Sequence, residues 1–144
     1  MDSVREIADA LCRAAHECCH QHGRSARLGG NAPIETEQRG LDRLCAVCDD
    51  TLARLVTAYE KTAAGARPAD GDADWWHRAN ALWLASREYV RRHRSCDDRT
   101  RRLSGRHPAS ALEEIHLEFE LEASALLALR QASDEYGAAR PGVL

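Results

Sequence analysis

The stretch LDRLCAVCDDTLARLVTAY (residues 41–59) decides the fold. Its apolar positions, Leu41, Leu44, Cys45, Cys48, Leu52, Leu55, Val56 and Tyr59, recur at spacings of three and four. That is the period of an α-helix with one buried face; a strand would alternate every second residue. The seam predicts a helix over 34–64, with Gly40 either delaying its start or kinking it.

The same period appears on both sides of this stretch. Toward the N-terminus, Val4, Ile7, Leu11, Ala14, Ala15 and Cys18 share a face, and Ser3 with Glu6 matches a capping box. A helix over 3–22 is expected, ended by Gly23 and followed by a loop over 23–33. Toward the C-terminus, Trp75, Ala79, Leu82, Trp83, Ser86, Tyr89, Val90 and His93 define a third helix over 74–103. After the Ser104–Pro108 break, Ser110 and Glu113 open a fourth over 109–136, with Leu112, Ile115, Phe119, Ala123, Leu126 and Leu129 facing inward.

Composition agrees. The 144 residues include 25 Ala and 16 Leu against eight Val and Ile together, which disfavours strands. The expected architecture is all-α: a single domain over 1–144, an antiparallel up-down-up-down four-helix bundle. Net charge is −3, so the molecule as a whole has no electrostatic pull toward nucleic acid or anionic lipid. No apolar run is long enough to span a membrane, and the acidic, Arg-containing N-terminus lacks a secretory apolar core. A cytoplasmic location with reduced thiols is expected.

Residues 87–107 hold eight Arg against Glu88, Asp97 and Asp98. Arg91, Arg92, Arg94, Arg101 and Arg102 are the candidates for an anion site. They also fall at a helix C-terminus, where cations offset the macrodipole. Glu113, Glu114, Glu118, Glu120 and Glu122 on the next helix are expected to neutralise them, so nucleic acid is not the expected partner.

The histidines and cysteines carry the remaining chemistry. His16-Glu17-Cys18-Cys19-His20 has the H-E-x-x-H spacing of zinc proteases. The third histidine is missing, no sheet precedes the helix, and both histidines fall on its polar side. They remain candidates only for a surface metal clip. Glu17-x-x-His20 and Glu113-x-x-His116 have di-iron spacing, yet Glu17 and His20 face outward and Glu113 is used in capping.

Topology is more informative. An up-down-up-down order gathers His16, His20, His22, His93, His107 and His116 at one end, leaving His77 at the other. Cys18, His22, Cys45 and His93, with His116 and Glu120 at the edge, form the candidate ligand set for zinc, iron or copper. Cys45 and Cys48 within a helix seam suit small apolar fillers better than redox thiols, whose motif needs a preceding strand. Ser86 lies near no His–Asp pair, and no catalytic residue is assigned.

The leading functional expectation is a non-catalytic interaction or scaffold protein. It forms a homo-oligomer, a dimer first, through a second apolar stripe of Leu84, Leu117, Leu121, Ala128 and Ala132. Metal binding is the alternative, and anion binding the second alternative.

Overall fold

A computed structural model describes residues 2–29, 35–67, 69, 71–103 and 109–144. Four helices, α1 (Asp2–Gly29), α2 (Glu35–Ala63), α3 (Ala73–Leu103) and α4 (Ala109–Ala139), account for nearly all of them. The described residues contain no strand. Helices α1 to α4 pack in ring order as a four-helix bundle, with α2 and α4 apart on one diagonal. Interhelical hydrogen bonds pair rising with falling residue numbers. Tyr59 meets Asn80, Val56 meets Trp83 and Asp49 meets Tyr89 between α2 and α3. Cys12 meets Ser133 and Cys19 meets Leu126 between α1 and α4. No helix is long and apolar enough to cross a membrane.

Two helix ends differ from expectation, those of α1 and α4. Helix α1 continues through Gly23 to Gly29. Its extra turns are held by Arg24 donating to Gln21 and Gln38 donating to Ser25, and Arg27 sits in the last turn. Gly40 lies inside α2, which starts at Glu35, with open space beside it. Helix α4 runs past Tyr136 and Gly137 to Ala139, and Gly142 at φ 91° then reverses the chain. A Cβ on Gly137 would lie 2.8 Å from Leu144 Cδ1, so glycine lets the returning tail close against the helix. The expected break at Ser104–Pro108, together with His107, lies outside the described residues.

The core is formed by Leu11, Leu52, Leu82 and Leu129, flanked by Val4, Tyr59, Tyr89 and Tyr136. Each fully buried aliphatic side chain contributes roughly 1.5–3 kcal/mol. The first half of α4 is rotated from its expected setting. Leu112 and Phe119 are about half exposed and Ala123 is exposed, while Glu118, Glu122 and Ala125 turn inward. A strict seven-residue seam drifts by about 20° per heptad on a straight helix. The polar pairs Arg99–Glu118 and His93–Glu122 set the rotation in this half.

Leu52→Ala is expected to cost about 2–5 kcal/mol in denaturant unfolding. Leu127→Ala, at a position two-thirds exposed, should stay within about 0.5 kcal/mol. The Ser133 hydroxyl is buried without a hydrogen-bond partner among the described residues. Ser133→Ala should therefore raise stability by about 1 kcal/mol.

Candidate functional site

Asp49 breaks the apolar seam of α2 at the spacing of a core residue and is 8% exposed. A buried carboxylate must find donors, and here they come from the neighbouring helices. From α1, His22 brings Nε2 to 3.0 and 3.2 Å from the two Asp49 oxygens. From α3, the Tyr89 hydroxyl donates to Asp49 Oδ1 at 2.9 Å and lies 2.8 Å from His22 Nε2. His93, one turn further along α3, places Nε2 3.3 Å from Asp49 Oδ2. Its other nitrogen, Nδ1, lies 2.9 Å from Glu122 Oε1 on α4. Cys18, one turn before His22 on α1, is fully buried. All four helices thus contribute an ionisable side chain to one connected cluster.

The electrostatics follow from these contacts. The Glu122 hydrogen bond raises His93 above the ordinary imidazole value against the opposing effect of burial, and the Asp49 charge adds to the rise. Burial would raise the Glu122 carboxyl, but hydrogen bonds from His93 and Cys96 outweigh it and hold it below the ordinary value. Tyr89 is pushed far up by burial and by the Asp49 charge, so it stays a neutral donor. Burial, then the Asp49 charge, likewise pushes the Cys18 thiol far up, and Cys45 to about 11.

The cluster is reached from outside. A cleft of about 400 Å³ between α2 and α3 is walled by Asp49, Tyr89, His93 and Arg94. The short side chains of Ala46 and Ala53 leave it open.

Only part of the expected ligand set converges here. His22 and His93 do, while Cys18 is buried one turn before His22 on α1. Cys45 is buried in the α2 seam, one turn before Asp49. His116 and Glu120 instead form an exposed pair on α4, 3.0 Å apart, because α4 turns its Glu118–Glu122 face inward in their place. His16 and His20 are exposed beside a shallow groove between α1 and α4, with Arg130 and Asp134 across it.

The arginine run is neutralised mainly within α3. Arg91 and Arg92 pair with Glu88, and Arg101 pairs with Asp97. Among the described residues of the run, only Arg99 reaches α4, at Glu118. Arg94 lines the α2–α3 cleft and Arg102 is exposed. Ser86 spends its hydroxyl on the Leu82 carbonyl at 2.7 Å.

Asp49 and Glu122 are the residues that periodicity passed over. The signal was present for Asp49: Leu41, Cys45, Asp49, Leu52, Val56 and Tyr59 continue the seam without interruption. A charged residue at a core register position has to be partnered.

The same contacts give a pH signature. His93 is faced by Asp49 from α2, Glu122 from α4, His22 from α1 and Asp97 from its own helix. Its raised value adds stability that is full below about pH 6.5, its unfolded value, and is lost as pH rises through the folded value. The lowered Glu122 value adds stability above about pH 4.3, lost as pH falls through its folded value. The protein should therefore lose stability as pH rises above about 6.5. Urea midpoints above that pH should fall less steeply in Glu122→Gln; an equal slope in both proteins would exclude this pair as the cause. No protein-family model, curated protein or solved structure matches this chain, and a four-helix fold carries no activity by itself.

Proposed function

We propose that this protein binds a single divalent transition-metal ion at the Asp49 cluster. One observation carries the reading: the groups aimed at Asp49 include two imidazole Nε2 atoms, and one of these imidazoles is backed by a carboxylate. A carboxylate on the far nitrogen is the usual partner of a metal-ligating histidine, because it fixes the tautomer and the ring plane. Here Glu122 plays that part for His93. Two histidines and one carboxylate suit zinc or iron.

Among the described residues, no three His, Cys, Asp or Glu side chains stand around an open point as a filled shell requires. In the metal-free protein their polar atoms bond to one another. The Nε2 atoms of His22 and His93 lie against Asp49, and an entering dication would take their lone pairs in place of these contacts. Metal binding commonly releases protons from its ligands.

The opposite end of the bundle provides a contrast. Asp9 is equally surrounded, but by Tyr136 at 2.6 Å and by the Arg140 guanidinium. Arginine cannot surrender its proton to a metal, so that network is structural. Among the described residues no guanidinium is bonded to Asp49, although Arg94 lines the same cleft.

Calorimetric titration of metal-free protein with zinc should show about one ion per chain. His93→Gln and Asp49→Asn should each weaken binding at least about tenfold, or about 1.4 kcal/mol. His116→Ala should leave it unchanged. Absence of stoichiometric binding, or equal affinity in all three variants, would overturn the assignment.

A second reading, homo-oligomerisation, is favoured by separate residues. Leu84, Leu117 and Leu127 are each more than half exposed, and Ala128 is exposed beside them. Leu121 is half-buried, and Ala132 packs against the core, so the expected stripe narrows to Leu84, Leu117 and Ala128, and Leu127 is a further exposed leucine of α4 that was not expected in it. Such leucines on an outer face suit a second copy, as a dimer. Light scattering should show mass growing with concentration, and Leu117→Glu with Leu127→Glu should hold the protein monomeric. A wild-type mass that stays at 16.0 kDa at high concentration would remove this reading.

A further inference from the structure

We infer that a second cleft, between the end of α2 and the start of α3, binds a small organic cation whose charge is spread over methyl or methylene groups, as in a quaternary ammonium. The site is separate from the Asp49 cluster and does not depend on the metal reading. Tyr59 lies about 15 Å further along α2 than Asp49, at a rise of about 1.5 Å per residue.

The cleft has a volume of about 280 Å³. Its α3 wall is Trp76, Asn80 and Trp83, a stripe at helical spacing, and its α2 wall includes Tyr59, Glu60 and Ala63. That volume lies just below the range of about 300–1,000 Å³ typical of pockets for drug-sized ligands, so it suits a small free molecule.

Two of the three rings are fixed by the fold. Tyr59 is fully buried and donates its hydroxyl to Asn80 Oδ1 at 2.8 Å. Trp83 donates its indole N–H to the Val56 carbonyl at 3.2 Å. Their ring centroids stand 6.2 Å apart with planes tilted by 31°. With both donors engaged, these rings present π surface to the cleft. Trp76 is half-buried against the core, with its centroid 5.8 Å from that of Trp75.

Charge decides the class of ligand. Glu60 is the one charged residue among the described walls, and no described cation pairs with it. A ring face attracts a cation within about 6 Å of its centroid. The other two indoles already do so: the Arg5 guanidinium stands 4.9 Å over Trp75, and that of Arg87 5.4 Å over Trp83. Neither arginine walls the cleft, and among the described residues Trp76 has no cation over its ring. Ring faces and one carboxylate around a single hollow favour a cation. A metal ion or bare ammonium would give up water that aromatic and alanine walls cannot replace. An ion clothed in methyl groups holds its water weakly and gains contact with every ring.

Choline is the probe, and a dimethylbutanol with carbon in place of the nitrogen is its neutral control. Choline added to the full chain should shift tryptophan fluorescence saturably, with about one site by calorimetry. The neutral control should bind at least about fivefold more weakly. Glu60→Gln, at an exposed position, should weaken choline binding about threefold. Trp76→Phe should keep part of the affinity and Trp76→Leu should lose it, while His93→Gln should leave it unchanged. No saturable response to choline, or equal binding of the neutral control, would overturn the inference without calling on any variant. Unchanged affinity in Glu60→Gln or in a folded Trp76→Leu would overturn it too. Phosphatidylcholine vesicles and a trimethyllysine peptide supply the remaining arms. Capture by either, with no binding of choline, would overturn the assignment to a free small cation.

Discussion

The buried carboxylate of Asp49 is the constraint on which this end of the bundle depends. A charge at a core position must be met by donors, and a single side chain cannot meet it from its own helix. The solution draws His22 from α1 and Tyr89 and His93 from α3, and it reaches α4 through Glu122. Each contact fixes how its helix is rotated about its own axis. Apolar packing permits a range of rotations at modest cost, whereas hydrogen bonds to one carboxylate permit few. The inward turn of Glu118 and Glu122, at the expense of Leu112 and Phe119, is the visible result.

A second polar centre stands at the far end. Asp9 ties α1 to Tyr136 and Arg140, and Tyr136 in turn accepts from Trp75 on α3 at 3.1 Å. Between the two centres the core is nearly all aliphatic and aromatic. The two networks resemble one another in burial and differ in their cations. A guanidinium keeps its protons, while an imidazole gives one up near neutral pH. That difference separates a structural tie from a site open to exchange.

Much of this was legible in the residues. The spacing of Leu41 through Tyr59 specifies a helix with one buried face, and four such segments specify a bundle. His22 and His93 could be placed together because helix order alone puts them at one end. Helix ends were less legible. Gly23 and Gly137 read as stops, yet tertiary contacts outweigh the glycine cost of about 1 kcal/mol at each. Site composition was misread wherever a polar residue sat on an apolar face. Asp49 and Glu122 were passed over because periodicity counts only apolar side chains, while His116 and Glu120 were favoured on a wheel angle that the rotation of α4 then changed. The Arg-rich run was expected to meet the acids of α4, whereas among the described residues Arg91, Arg92 and Arg101 pair within α3 and Arg99 reaches Glu118.

One consequence follows from the two polar centres acting together. Asp9 clamps one end through the short, charged Arg140 contact. The other end is held by polar contacts that join Asp49 to His22, Tyr89 and His93. A neutral residue at Asp49 would therefore loosen the shared polar tie of α1, α2 and α3 in one step, whereas the same change at Asp9 would loosen only α1 from α4 and the tail behind it.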